Sequence, residues 1–146
     1  MIIIARAFAK MPDDFLDRIS KLGDKTDEIV PRVLEAGGEV MLAQVRSNLD
    51  SVVGHGTKHP SRSTGQLASA LGVSGARINR NGDHTVKIGF AENRRDGKAN
   101  AKLANILENG KHGQPPKPFL RPARAAAKGA TIAAMVQKLD EEIEKL

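Results

Sequence analysis

An apolar stripe of helical period, running for roughly six turns near the start of the chain, constrains its fold more than any other feature. Val30, Leu34, Met41, Val45, Leu49 and Val52 recur three, four or seven residues apart, while Glu28, Arg32, Glu35, Glu39, Arg46 and Asp50 lie mostly off the stripe. Such a stripe must be buried against something, and it predicts one long core-facing helix from Asp24 to about Val53. Pro31 falls inside that span, so the helix either begins near Ile29 or bends at the proline. The Gly37-Gly38 pair costs about 1 kcal/mol per residue relative to alanine, which predicts close approach of another backbone. A second stripe, Ile132, Met135, Val136, Leu139, Ile143 and Leu146, predicts a terminal helix starting near Pro122, with Asp140-Glu141-Glu142 as a solvated tail.

Between the two stripes the period changes. Ala76 and Ile78 alternate with Arg77 and Asn79, and Val86, Ile88 and Phe90 alternate on the far side of Asn81-Gly82, which predicts a β-hairpin over Ala76 to Glu92 with two positive-φ residues at its turn. Ser74-Gly75 is a bulge candidate. Ahead of the hairpin, the Ser63 and Thr64 hydroxyls are placed to cap a short helix with Leu67 and Leu71 on one face and Gly72 at its end. Behind it, Leu103, Ile106 and Leu107 predict a helix over Ala99 to Asn109 capped by Gly110, or else a short strand. At the start of the chain, residues 1 to 10 read as a short strand and Pro12 to Leu22 as a short helix. Gly113-Gln114-Pro115-Pro116-Lys117-Pro118 can be neither helix nor central strand, because its prolines lack donors, and reads as an extended surface arm. The expectation is an α+β fold: an antiparallel β-sheet, built on the central hairpin plus one or two further strands, packed against a long N-terminal helix and a C-terminal helix.

At 146 residues and 40% hydrophobic, the chain fits a single domain over residues 1 to 146. No apolar run approaches the roughly 20 residues a spanning helix needs, and Arg6 and Lys10 interrupt the opening isoleucines, so the reading is a soluble, unexported protein with no membrane partner. The sequence contains no cysteine, which removes disulfides, thiolate metal sites and cysteine nucleophiles. Of the histidines, His55 and His59 lie in a Gly/Pro loop, and His84 and His112 stand apart, so no metal or cofactor site is expected. Asp13-Asp14 and Glu141-Glu142 are adjacent pairs that diverge on a helix instead of converging on a substrate. No phosphate-binding glycine loop and no hydrolase elbow occurs, Ser63 and Thr64 have no base nearby, and catalysis is not expected.

Charge is segregated along the chain. Residues 1 to 53 hold seven basic and nine acidic side chains, residues 54 to 128 fourteen and four, and residues 129 to 146 two and four. A basic middle between acidic flanks suits nucleic acid or an acidic protein surface. With four phenylalanines and no tyrosine or tryptophan the chain lacks stacking platforms, which lowers the nucleic-acid reading. Arg77, Arg80 and Lys87 read as the solvent face of a half-buried sheet before they read as a nucleic-acid surface. Three polar stretches, Gly54 to Arg62, Asn93 to Lys98 and Lys111 to Lys117, bury too little to order themselves. Their Lys58, Arg62, Arg94, Arg95, Lys98, Lys111 and Lys117 are candidate contacts to an acidic neighbour.

Three motifs stand together in the second half: Thr64-Gly65-Gln66-Leu67, then Leu107-Glu108-Asn109-Gly110, then Pro115-Pro116-Lys117-Pro118-Phe119-Leu120-Arg121-Pro122-Ala123. With a long helix before them and an amphipathic helix after, they make the chain resemble the gene-product-ten-like tail-component family of lambdoid siphophages. The resemblance implies a head-tail joining or tail-completion subunit without catalysis. It would assemble as a homo-oligomeric ring in the neck of the virion, contact head-connector and tail proteins, sit near DNA incidentally, and pass through the host cytoplasm during assembly. It marks Thr64, Gly65, Leu67, Glu108, Gly110, Pro118, Phe119, Arg121 and Pro122 as motif and interaction residues. On physical grounds alone, Phe119 anchors the arm either in the core or in a neighbouring subunit, and Arg121, between two prolines, is a fork suited to a carboxylate such as Glu108.

Overall fold

A computed structural model describes residues 23–53, 66–91 and 99–145. The strand and short helix expected over residues 1 to 22 lie outside these spans.

A single 3-10 turn, Gly23–Lys25, leads into helix α1, Thr26–Val52. The helix does not begin at Ile29, and it continues through Pro31. At the sixth helical position a proline forfeits one bond, to the Asp27 carbonyl, close to a helix start whose first four N–H groups have no intrahelical acceptor in any case. The chain continues through the short helix α2, Gln66–Ala70, strands β1, Leu71–Val73, β2, Arg77–Ile78, β3, His84–Thr85, and β4, Ile88–Phe90, then helix α3, Asn100–Asn109, and helix α4, Leu120–Glu144. The fold is α+β, two long helices with a small antiparallel sheet against them.

α1 and α4 run antiparallel. Ile29, Val30 and Val33 of α1 pack with Met135 and Leu139 near the end of α4, while Leu49 shares a second cluster with Phe119 and Ala123 at its start. α4 buries Ala123, Ala127, Thr131, Met135 and Leu139, one residue per turn, and then Glu142. The expected stripe is therefore displaced: Ile132, Val136 and Ile143 are only partly buried, and the small residues Ala123, Ala127 and Thr131 hold the buried positions in the first half of α4. Glu142 departs most from expectation. It is 4% exposed instead of solvated, held by Arg32 Nη1 at 2.9 Å, with the Lys138 and Lys145 ammonium groups at 3.5 and 3.8 Å.

What approaches Gly37-Gly38 is side chains and not a second backbone. A β-carbon on Gly37 would lie 2.6 Å from Met135 Cγ, and one on Gly38 would lie 3.0 Å from Val86 Cγ1 and 3.2 Å from Val73 Cγ1. Gly129, on the exposed side of α4, has nothing within 4 Å of the same position. The same substitution should therefore act with opposite sign at the two sites. Gly129→Ala is expected to stabilise by about 1 kcal/mol through helix propensity alone. Gly37→Ala is expected to destabilise by about 1 kcal/mol, the overpacking cost exceeding the same gain. Urea midpoints of the two variants measure both effects.

The hairpin is longer and less regular than its sequence suggests. β1 pairs with β4, Leu71↔Phe90 to Val73↔Ile88, and β2 pairs with β3, Arg77↔Thr85 and Ile78↔His84. Three residues, Ser74 to Ala76, thus face two, Val86 and Lys87, which is a one-residue bulge at the Ser74-Gly75 candidate. Ser74 repairs it, its N–H donating to the Lys87 carbonyl at 2.8 Å and its Oγ accepting from the Lys87 N–H at 3.0 Å. Leu71 and Gly72 belong to β1 and do not finish the preceding helix, because their pairing with Phe90 and Gly89 outweighs the weak helical tendency of a five-residue segment. Among the described residues no third strand joins either ladder.

At the turn only Gly82 has positive φ, 83°. Gly82 N–H donates to the Asn79 carbonyl at 3.1 Å, Asn79 N–H donates to the Asp83 carbonyl at 2.9 Å, and Asn79 Oδ1 accepts from the N–H groups of Asn81 and Asp83. This is a three-residue loop, a four-residue turn closed by a left-handed glycine, in place of the two-residue turn expected. Beyond the bulge the hairpin leaves the core, and Ile78 is 63% exposed instead of buried.

Candidate functional site

The residues singled out in the second half meet where α3 ends and α4 begins. Along α3 the buried positions are Asn100, Ala104 and Glu108, each four residues on from the last, and the expected Leu103, Ile106 and Leu107 flank them half-buried. Asn100 is tied to the sheet, its Nδ2 donating to the Ala91 carbonyl at 2.6 Å. Gly110 closes the helix with φ 76° and donates to the Ile106 carbonyl at 2.7 Å. A β-carbon there would lie 2.8 Å from both the Gln114 carbonyl oxygen and the Pro116 nitrogen, so the position requires glycine for conformation and for space.

The arm is not a free surface segment. Lys111 and Gln114 exchange both backbone hydrogen bonds, at 3.0 and 2.9 Å, across a turn in which Gly113 takes φ 78°, and Lys117 N–H donates to the Leu107 carbonyl at 2.7 Å. That last bond caps an otherwise orphan carbonyl of α3, which is why this Pro-rich stretch holds a fixed path with little apolar burial. It forms a shallow concavity lined by residues 109–111 and 113–116, in which Lys111 is the sole ionisable side chain.

Glu108 carries the junction. Its Oε2 accepts from the N–H groups of Phe119 and Leu120 at 2.7 and 2.9 Å, and its Oε1 from the Arg121 N–H at 3.0 Å and Arg121 Nε at 3.2 Å. Pro122 has no N–H, and Ala123 N–H already reaches the Phe119 carbonyl at 3.3 Å. Every donor at the start of α4 is therefore accounted for, by a carboxylate supplied from another helix and a proline at the one position that would lack an acceptor. Burial pushes the Glu108 carboxyl upward. The backbone hydrogen bonds from Leu120, Phe119 and Arg121, with the Arg121 side chain, outweigh it and hold the group below its ordinary value. A carboxylate held in this way is a poor proton acceptor and a good helix cap.

Arg121 does not make the bidentate fork expected of it. Nε meets the carboxylate, while Nη2 turns to the Glu108 carbonyl and Asn109 Oδ1, each at 3.4 Å, and the side chain is 70% exposed. Removing it as Arg121→Ala is expected to cost less than about 1 kcal/mol, because exposed pairs are screened. A thermal midpoint within a few degrees of the parent checks this.

Phe119 is fully buried, edge-on to Phe90 with ring centroids 6.2 Å apart, so its anchor lies within the chain and not in a neighbouring subunit. Leu67 lies in the same cluster. Asn48 of α1 completes the junction by donating to the Phe119 carbonyl at 3.2 Å. The structure thus brings together Leu67, Glu108, Gly110, Phe119, Arg121 and Pro122, with Pro118 exposed beside them. Thr64, Gly65, Lys58, Arg62, Arg94, Arg95 and Lys98 lie outside the described residues. Lys111 is exposed and Lys117 half-buried.

Sequence reasoning missed Asn48, Asn100 and Glu142 as structural polar groups. The signal for the last two was present, since Asn100 stands four residues before the buried Ala104 and Glu142 three after the buried Leu139, both at helical burial spacing. Among the described residues no group of three or more His, Asp or Glu could hold a metal ion, and no helix is long and apolar enough to cross a membrane.

Comparison with known proteins adds one finding. The HK97-gp10-like family model, described as "Bacteriophage HK97-gp10, putative tail-component", matches residues 13–110. The match includes α1, the hairpin and the Glu108 end of α3, and stops before the Pro-Phe-Leu-Arg-Pro segment. No curated protein and no solved structure matches the chain.

Proposed function

Because the chain belongs to the HK97-gp10-like family of bacteriophage tail components, we propose that it is a head-tail joining or tail-completion subunit that works by its surfaces, without catalysis. The family match over two-thirds of the chain carries this reading. The chemistry of the described residues supports the absence of catalysis, because the buried carboxylates Glu108 and Glu142 are both consumed, one as a helix cap and the other by Arg32, Lys138 and Lys145. The chain acts as one domain and joins copies of itself in a closed ring at the neck, where heterologous contacts between non-identical patches close by rotation. Its partners are the neighbouring connector and tail proteins, with DNA nearby as cargo.

Electron cryo-microscopy of intact particles tests this. Density for the two antiparallel helices, repeated around the axis between head and tail, is the expected result. The same density along the tail shaft, or none in the particle, would contradict it.

A further inference from the structure

The tip of the hairpin and the outer face of α1 are complementary, and one copy cannot satisfy that complementarity by itself. At the tip, Arg77 and Arg80 are exposed on either side of Ile78, and among the described residues Ile78 is the exposed large hydrophobic side chain. On α1 the exposed positions Glu28, Arg32, Glu35, Glu39, Ala43, Arg46 and Asp50 follow one another at three- and four-residue spacing and so form one ridge. Its two cations, both exposed, are engaged within the copy, Arg32 with Glu142 at 2.9 Å and Arg46 with the Leu71 carbonyl at 3.2 Å. The ridge is therefore net acidic, four carboxylates against two arginines.

Within a copy the hairpin lies along the first half of α1. Ala76 N–H meets Glu35 Oε1 at 3.5 Å and His84 Nε2 meets Asp27 Oδ1 at 3.4 Å, which puts the tip at the N-terminal end of the helix. At 1.5 Å per residue, Glu39 and Asp50 lie about 18 and 35 Å farther along from Asp27, away from the tip of their own hairpin, whose base packs at Gly38 through Val73 and Val86. A basic, apolar-tipped projection at one pole and an acidic stretch with a small residue at its centre toward the other make a heterologous pair of patches.

We propose that Arg77, Ile78 and Arg80 of one copy dock on Glu39, Ala43 and Asp50 of the next. This rests on the ring reading above and names the surfaces that would form the ring. A photo-crosslinking residue, p-benzoylphenylalanine, placed at position 78 of the full-length chain and irradiated in lysates and in purified particles, tests it. The expected product is a covalent dimer of this chain linked to a peptide containing residues 39 to 50. The double substitution Arg77→Glu, Arg80→Glu should lower its yield at least tenfold, and adding Glu39→Arg and Asp50→Arg should restore it.

Crosslinking to DNA or to a different virion protein, no chain-to-chain product, or a yield indifferent to charge reversal would each overturn the contact while leaving the neck assignment intact. A chain-to-chain product at residues 39 to 50, in a phage whose heads and tails join without this protein, would uphold the contact and sink the neck assignment.

Discussion

Replacing Phe119 with alanine is expected to destabilise the chain by about 3–5 kcal/mol, the range for large buried aromatics. The ring is fully buried, is edge-on to Phe90, and fills the point where Leu49, Leu67 and Ala123 converge from three helices. Its removal leaves a cavity that none of these helices can close alone, because the Glu108 carboxylate pins the Phe119 backbone from one side and Asn48 from the other. For a chain of this length the loss corresponds to a fall of about 12 °C in thermal midpoint. Phe119→Leu, which keeps much of the volume, should recover more than half of it. A midpoint within a few degrees of the parent for Phe119→Ala would show that the arm does not anchor the core.

The next largest effect is expected from Glu108→Ala, about 3 kcal/mol, since three backbone donors and Arg121 Nε lose their acceptor at a buried helix start. Its pH dependence separates this from simple loss of packing. The folded-state pKa of Glu108 lies below its ordinary value of 4.5. Its stabilisation is thus complete at neutral pH and lost as the pH falls below that value and through the folded pKa. Glu142 is also lowered: its burial raises the pKa, but the Arg32 hydrogen bond and the charges of Lys145, Arg32 and Lys138 more than compensate. The parent should therefore lose stability below about pH 4.5 in two contributions, and Glu108→Ala should lose only the part due to Glu142. Parallel stability curves for parent and variant between pH 7 and pH 3 would show that Glu108 is not ionised at the helix start.

Periodicity made the long helices and the hairpin legible, because each must bury one face and its apolar residues recur accordingly. What stayed illegible depended on who approaches whom. Gly37 reads as a helix weakness until Met135 is seen filling the space, and Glu142 reads as part of an acidic tail until Arg32 arrives from a residue more than a hundred positions earlier. Leu71 reads as helical because a five-residue segment carries too little periodic signal to show otherwise, and its pairing with Phe90 makes it a strand residue. At the junction, the sequence named Glu108, Phe119 and Arg121 but not their division of labour. That a carboxylate caps a helix eleven residues downstream follows from the fold of the arm, which depends on Gly110 and the Lys111 to Gln114 turn.

The proposed joining role requires above all that this family member sit between head and tail. Thin-section and negative-stain counts of particles made without the protein test that placement directly. The expected result is DNA-filled heads and finished tails present in normal numbers but separate, with joining restored when the protein is supplied in trans. Joined, infectious particles in its absence, or heads that fail to fill while tails never form, would contradict a role in closing the neck.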